Sequence, residues 1–157
     1  MVKHVYVFVD FDGVMHPFFP DINMEDWENK YFSYAPNLAR CITEMESEGY
    51  QISVVISSSW RTNKTMEQLI SFFPDEIKKN IVGKNPPTAH YYVTGTQYNR
   101  EDECRQYMKD NNIVAPWFAL DDDKDIYYTD EKLLYCPNFF KERQMKRFKE
   151  MVKTCQV

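Results

Sequence analysis

Two kinds of apolar pattern alternate along the chain. Short runs of consecutive apolar residues, rich in valine, isoleucine and aromatic residues, are typical of strands buried on both faces of a parallel sheet. Longer segments carry apolar residues three and four positions apart, as the buried face of a helix requires. The strand pattern occurs at residues 3–9, 51–56, 81–82, 117–120 and 133–135, and the helical pattern at 36–48, 66–73, from about 100 onwards and around 145–152.

This alternation predicts an α/β domain with a mostly parallel sheet. Residues 14–34 and 84–98 show neither pattern and are predicted to be loops. The chain has no internal repeat and no linker-like stretch, and its 157 residues suit one hydrophobic core. We therefore expect a single domain over residues 1–157.

Composition and charge narrow the class of protein. With 43% hydrophobic and 16% aromatic residues, the chain can bury a core and is not expected to be disordered. No apolar run is long enough to span a membrane, no secretory leader is evident, and the four cysteines are scattered, so a cytoplasmic protein is expected. The net charge of −5 argues against a protein that coats nucleic acid non-specifically, but it leaves a nucleic-acid end open as a substrate.

Three of the predicted strands end in polar clusters. The clusters are Asp10-Phe11-Asp12, Ser57-Ser58-Ser59 and Asp121-Asp122-Asp123. Parallel strands place their carboxyl ends at one edge of a sheet, and open α/β sheets bind their ligands outside that edge. We therefore expect the three clusters to form one site.

Four carboxylates of these clusters predict a metal site. Asp10, Asp12, Asp121 and Asp122 would repel one another at short range unless a cation lay between them. Oxygen ligands, without a competing set of His and Cys residues, favour Mg²⁺. Taken alone, residues 121–123 are equally consistent with a turn that caps a helix. The Asp10 cluster directly after the first strand favours the metal site.

Hydroxyl and cationic side chains near the same edge predict a phosphate site. Ser58 and Ser59 can donate hydrogen bonds to phosphate oxygens, and Arg61 can reach the same group through two N–H donors. Arg100 begins a predicted helix, where a cation opposes the helix dipole, and a functional role is favoured if its side chain points to the sheet edge. The competing interpretations are a simple turn for the serines and a surface position for Arg100.

The first strand and the residues after it resemble a known motif. Residues 7–14, Val-Phe-Val-Asp-Phe-Asp-Gly-Val, are similar to the first motif, hhhDxDG[TV], of the haloacid dehalogenase-like (HAD) hydrolase superfamily. More narrowly, the chain resembles the small HAD domains of Swiss Army Knife RNA-repair proteins. The matching pieces lie at residues 56–61, 81–86, 100 with 103, and 119–125, so the resemblance covers nearly the whole chain in order.

The resemblance implies a fold and an open site. The expected fold is a three-layer α/β/α, Rossmann-like arrangement with a mostly parallel sheet. Residues 14–34 and 84–98 are too short to hold a large cap domain, and an uncapped site suits bulky substrates. Of the aromatic residues in the first loop, His16, Phe18, Phe19 and Trp27 could close over the site and stack on a base, although packing against the domain is favoured for them.

The resemblance also implies a role for each aspartate of the site. Asp10 would be the nucleophile that attacks phosphorus and forms an aspartyl-phosphate, and Asp12 would be the general acid and base. Mg²⁺ would be held by Asp10, the backbone carbonyl of Asp12 and Asp121, with Asp122 in the same or the next shell.

Other residues match the phosphate-binding positions of the family. Ser58 would bind the transferring phosphoryl group, with Ser57 as a one-residue alternative. Arg100 matches the cation of the third motif, with Lys84 as the alternative, and Arg61 resembles an additional arginine of polynucleotide 3′-phosphatases.

Together with these residues, the resemblance implies a Mg²⁺-dependent phosphohydrolase that cleaves phosphate monoesters through an aspartyl-phosphate. The expected substrate is a phosphorylated nucleic-acid end, as in RNA or DNA repair. A small-molecule or nucleotide phosphatase is one alternative, and a catalytically silent HAD-like binding module is another. Neither a membrane nor an obligate protein partner is expected.

Overall fold

Five parallel strands form the sheet that positions the rest of the described chain. The computed structural model describes residues 2–17, 23–86 and 100–157. The spatial order of the strands is β3-β2-β1-β4-β5, and every neighbouring pair is parallel. The strands are β1 (His4–Val9), β2 (Gln51–Ile56), β3 (Ile81–Lys84), β4 (Trp117–Asp121) and β5 (Leu133–Tyr135). The α/β, Rossmann-like fold predicted from the sequence is thereby confirmed.

The order of the strands reverses around β1. The chain passes from β1 to β2 and β3 on one side, and then returns to β4 and β5 on the other side. A crevice forms at such a reversal, because the connections on either side of it leave the sheet in opposite directions. The carboxyl end of β1 therefore lies where α/β folds bind ligands.

The described residues contain four α-helices, of which the first three lie between strands and the fourth follows β5. They are α1 (Ala35–Ser47), α2 (Met66–Ser71), α3 (Arg100–Asp110) and α4 (Glu142–Thr154). The helix α2 is shorter than the predicted segment 66–73, because the residue before Pro74 is sterically disfavoured in a helical conformation. None of the described helices combines the length and the apolar character that crossing a membrane would require.

Alternate residues of β1 bury into two different cores. Val5, Val7 and Val9 belong to a core that also contains apolar residues of α1 and α4. Phe8 belongs to a second core with Cys104 of α3. Since successive side chains of a strand point to opposite faces, the two cores lie on the two faces of the sheet. The helices therefore cover the sheet from both sides, as the predicted three-layer arrangement requires.

The ring of Phe148 is a central contact between α4 and the sheet. It is fully buried and packs edge-on against Phe118 of β4, with 5.4 Å between the ring centroids, and against Phe140, at 5.9 Å. We expect Phe148→Ala to lower the free energy of unfolding by about 3–5 kcal/mol, because it leaves a cavity that the sheet cannot fill. Urea unfolding followed by circular dichroism measures this change. The control is Arg147→Ala, at a half-exposed neighbouring position, where a loss as large as that of Phe148→Ala would contradict the packing.

Candidate active site

Three aspartate carboxylates converge beyond the carboxyl ends of β1 and β4. Asp10 follows β1 directly, Asp121 is the last residue of β4, and Asp122 comes next. One oxygen atom from each carboxylate lies within 4.8 Å of the other two. The backbone N–H of Asp10 donates to the carbonyl of Leu120 at 3.1 Å, so the pairing of β1 with β4 continues into the site. The structure therefore brings together three of the four aspartates that the sequence analysis selected.

The cluster is costly to keep fully ionised. Burial raises the pKa of Asp121 to about 7, and the charge of Asp122 adds to this effect. Desolvation and the neighbouring charge of Asp121 raise the pKa of Asp10 well above its ordinary value. The guanidinium of Arg100 opposes both shifts, but it does not cancel them. A divalent cation among the three carboxylates would relieve the remaining repulsion.

The donor set fits Mg²⁺. It consists of carboxylate oxygens at mutual distances that let them share one ion, and hard oxygen ligands are those that Mg²⁺ prefers. No other group of three or more metal-ligating side chains occurs within residues 2–17, 23–86 and 100–157. Asp10, Asp121 and Asp122 are therefore the residues that would hold the metal, and the carbonyl of Asp12 stays a prediction.

The carboxylate of Asp12 has partners of its own, separate from the cluster. Its Oδ1 atom accepts a hydrogen bond from Nε2 of His16 at 2.9 Å, and its Oδ2 atom accepts one from Nε1 of Trp60 at 3.1 Å. On the other side of the imidazole, Nδ1 of His16 accepts the backbone N–H of Phe32 at 3.1 Å. Because Nδ1 is an acceptor there, the proton of the neutral ring lies on Nε2 and points at Asp12.

The described aromatic residues of the first loop contact other parts of the domain, which is the interpretation that the sequence analysis favoured over stacking on a base. His16 is buried and faces Asp12, so its ring is not available for stacking on a base. Trp27 is half-exposed and contacts the ring of Tyr34 edge-on at 5.9 Å. Phe18 and Phe19 lie outside the described residues.

The three serines after β2 have three different environments. The Oγ atom of Ser57 accepts hydrogen bonds from Nδ2 of Asn85 at 2.9 Å and from Nη1 of Arg100 at 3.4 Å. The Oγ atom of Ser58 accepts the backbone N–H of Trp60 at 3.2 Å and caps the short 3-10 turn Ser59–Thr62. Ser59 is exposed. The contact with Arg100 favours Ser57, the register alternative, as the hydroxyl beside the aspartates.

A buried ion-pair network lies behind these residues. Glu103 is fully buried in α3 and pairs with both Arg61 and Arg100, the latter through Nε at 3.1 Å. Arg61 also donates from Nε to the carbonyl of Asn85 at 3.0 Å and from Nη1 to that of Ser58 at 2.8 Å. Arg61 therefore braces the loops that follow β2 and β3, and its direct contact with phosphate stays a prediction.

The two candidate cations of the third motif differ in what they reach. The charge of Arg100 acts on both Asp10 and Asp121. The ammonium of Lys84 donates instead to the backbone carbonyl of Arg61 at 3.1 Å. The geometry favours Arg100 as the cation of the site, with Lys84 supporting the loop that carries Arg61.

Several contacts of the site had no separate signal in the sequence. The indole of Trp60 binds Asp12, the amide of Asn85 binds Ser57, and the hydroxyl of Tyr127 donates to Oδ2 of Asp121 at 3.1 Å. Trp60 and Asn85 lie inside segments that carried the family resemblance, but spacing alone does not assign them partners. Tyr127 lies in a part of the chain without a motif.

Comparison with known proteins supports one family. A family model described as "HAD domain in Swiss Army Knife RNA repair proteins" matches residues 6–137. This span begins within β1 and includes the aspartate cluster, the serines, the arginine network and β5. No curated protein and no solved structure matches the chain.

The raised pKa values predict how stability depends on pH when no metal is bound. Asp10 and Asp121 hold protons in the folded state at pH values where they have lost them in the unfolded chain, so folding stability falls as pH rises from about 4 to 7. We expect Asp121→Asn to raise the melting temperature in EDTA by about 3–6 °C at pH 8 and to change it little at pH 4. Thermal unfolding at the two pH values, with and without Mg²⁺, measures this gain. It also measures how far the substitution reduces the stabilisation that Mg²⁺ gives to the wild type.

The matched control is Asp110→Asn, which removes an exposed carboxylate at the end of α3. It should behave as the wild type at each pH and with Mg²⁺. A lower melting temperature of Asp121→Asn at pH 8 in EDTA would show that the cluster is not under repulsion.

Proposed function

Because the chain belongs to the family of HAD domains found in Swiss Army Knife RNA repair proteins, we propose that it is a Mg²⁺-dependent phosphohydrolase that cleaves phosphate monoesters through an aspartyl-phosphate. The observation that carries this proposal is the environment of the two aspartates after β1. Asp10 belongs to a carboxylate cluster fit for a metal, whereas Asp12, two residues later, is held apart by His16 and Trp60. Two carboxylates in different surroundings suit a nucleophile and a general acid.

The first step transfers the phosphoryl group to Asp10. A carboxylate oxygen of Asp10 bonds to phosphorus as the ester bond to the leaving group breaks, and protonated Asp12 gives its proton to the leaving oxygen. Bound Mg²⁺ would supply positive charge that reduces the repulsion between the anionic substrate and Asp10. His16 and Trp60 each donate a hydrogen bond to the Asp12 carboxylate.

The second step releases phosphate and restores the enzyme. Asp12, now ionised, accepts a proton from a water molecule whose oxygen attacks phosphorus. The bond between phosphorus and the Asp10 oxygen breaks, which leaves inorganic phosphate, an ionised Asp10 and a protonated Asp12. One water molecule is consumed in each cycle, so the reaction is a hydrolysis.

Ser57 and Arg100 are suited to hold the transferring group. Both acceptor positions of the Ser57 hydroxyl are directed at Asn85 and Arg100, which leaves the hydroxyl hydrogen to donate to a phosphoryl oxygen. Arg100 adds a buried positive charge that Glu103 orients. Donors fixed before the reaction stabilise charge on the phosphoryl oxygens without reorganising during it.

A phosphorylated nucleic-acid end is the substrate class that we propose. The description of the matching family names RNA repair, and the segments that connect the strands are too short for a large cap. With a net charge of −5, the protein is not expected to bind nucleic acid along its length, whereas recognition of an end requires only local positive charge.

Release of inorganic phosphate from a substrate panel tests the proposed function. The panel contains an aryl phosphate, nucleoside monophosphates and oligonucleotides with a 3′- or 5′-phosphate, each with Mg²⁺ and with EDTA. We expect Asp10→Asn to abolish release and Asp12→Asn to slow it by about 10²–10⁴-fold, because the second variant loses the general acid and base. Asp110→Asn, which changes an exposed aspartate outside the site, should keep the wild-type rate.

The pattern of release decides among the candidate functions. Preference for phosphorylated oligonucleotides supports a nucleic-acid end, and preference for free nucleotides supports a small-molecule phosphatase. Full activity of Asp10→Asn would contradict the aspartyl-phosphate. If no substrate releases phosphate although Mg²⁺ stabilises the folded protein, the remaining candidate is a catalytically silent binding module.

A further inference from the structure

An aromatic pocket lies beside the carboxylate of Asp12. It has a volume of about 400 Å³ and is lined by Tyr31, Trp60, Asn63, Lys64 and Phe72. Trp60 belongs to the pocket and to the site at once, because Nε1 of its indole donates to Oδ2 of Asp12. The pocket and the acid are therefore separated by a single indole ring.

The walls of the pocket are rings that a flat ligand can contact. Tyr31 and Phe72 both stand edge-on to the indole of Trp60, with 5.5 Å between ring centroids in each pair. Tyr31 is 74% exposed, which is unusual for an aromatic residue that packs in a core. A planar ligand would cover this ring and remove its apolar surface from water.

A positive charge lies at the same pocket. The Nζ atom of Lys64 is 5.6 Å from the centroid of the Trp60 ring and 5.9 Å from that of Phe72. Aromatic walls together with a cation complement a ligand that is both flat and anionic. The amide of Asn63, a donor and an acceptor, can bond the polar edge of such a ligand.

We propose that this pocket binds the base of the nucleoside whose phosphate ester is cleaved. This inference rests on the proposed function, in which Asp12 protonates the leaving oxygen, so that the leaving group extends past Asp12. One sugar ring separates the ester oxygen of a nucleotide from its base, and one indole ring separates Asp12 from the pocket. The pocket thus assigns the substrate class, which is phosphate esters whose alcohol carries a nucleobase. In a nucleic-acid strand, Lys64 would lie beside the next phosphate.

The kinetic test compares esters with and without a base. We expect Tyr31→Ala to raise KM about tenfold for adenosine 3′- or 5′-monophosphate, the size typical of losing one stacking partner, with kcat unchanged. For ribose 5-phosphate, which has no base, both constants should stay as in the wild type. The control is Trp27→Ala, an exposed aromatic residue of the same loop that does not line the pocket. Lys64→Gln should weaken binding of a phosphorylated dinucleotide more than binding of a mononucleotide.

A binding measurement separates failure of the pocket from failure of catalysis. Calorimetric titration of the Mg²⁺-loaded Asp10→Asn protein with adenosine monophosphate and with ribose 5-phosphate needs no turnover. Tighter binding of the nucleotide that Tyr31→Ala abolishes supports the pocket even if no phosphate is released. Equal binding of the two ligands, or nucleotide binding that Tyr31→Ala leaves unchanged, would overturn the proposal and leave the phosphatase itself intact.

A second inference comes from the hydrogen bonds of Asp12, and it rests on the proposed function but not on the pocket. We infer that His16 is a positioning residue that orients the Asp12 carboxylate for proton transfer. The backbone N–H of Phe32 occupies Nδ1 of His16, and the buried ring can offer Asp12 only the proton on Nε2. Together with Trp60, His16 engages both oxygens of the carboxylate, which fixes its rotation.

Two substitutions of His16 each keep one of its two hydrogen bonds, either the one to Asp12 or the one from Phe32. Gln places an amide N–H where Nε2 was, so it can still donate to Asp12, whereas Asn places its carbonyl where Nδ1 was, so it can still accept from Phe32. We expect His16→Asn to lower kcat about tenfold more for phenyl phosphate than for p-nitrophenyl phosphate, because only the poorer leaving group needs the acid. His16→Gln should keep the wild-type ratio between the two substrates.

The comparison with Asp12 shows whether His16 acts through it. In an Asp12→Asn background, His16→Asn should cause no further loss of kcat, since the group that it positions is gone. Circular dichroism verifies that each variant is folded. Equal effects of His16→Asn on the two aryl phosphates, or an altered ratio for folded His16→Gln, would reduce His16 to a structural residue.

Discussion

The site depends on main-chain hydrogen bonds that continue the parallel ladder one residue beyond the strands. The backbone N–H of Asp10 donates to the carbonyl of Leu120. In the same way, the N–H of Ser57 donates to the carbonyl of Val9, and the N–H of Asn85 donates to the carbonyl of Ile56. Because each bond fixes the first residue after a strand against its neighbour, Asp10, Ser57 and Asn85 form a row along the sheet edge. The backbone hydrogen bonds thus fix the positions from which the carboxylate of Asp10, the hydroxyl of Ser57 and the amide of Asn85 extend, whatever partners these side chains bind.

This placement brings buried carboxylates close together, and the surrounding structure offsets only part of their repulsion. The carboxylates of Asp10 and Asp121 are forced together by the pairing of β1 with β4, and burial raises the pKa of each. Arg100 supplies one opposing charge, and Glu103 holds Arg100 and Arg61 in a buried network. A divalent cation would balance the negative charge that remains. The pairing of β1 with β4 is therefore the origin both of the site's geometry and of the proposed metal dependence.

Two aspartates separated by one residue receive different surroundings. Asp10 faces other carboxylates, whereas Asp12 faces the N–H donors of His16 and Trp60. Such a separation lets one carboxyl group attack while the other exchanges protons. Trp60 also lines the aromatic pocket, so one side chain connects the proposed acid with the surface that we propose for the leaving group.

The sequence by itself determined the sheet, its covering helices and the meeting of Asp10 with Asp121 and Asp122. Buried strands require continuous apolar runs, and parallel strands bring their carboxyl ends to one edge whatever the details of the loops. Only the tertiary structure decided that Ser57 rather than Ser58 contacts Arg100, that Arg61 braces two loops, and that His16 turns toward Asp12. Ser57 and Arg61 meet partners from distant parts of the chain, and His16 meets its near neighbour Asp12 only in one orientation of its ring. A shift of one residue or one rotamer would exchange one partner for another. Spacing along a sequence carries no information about that choice, because packing and hydrogen bonding across the fold make it.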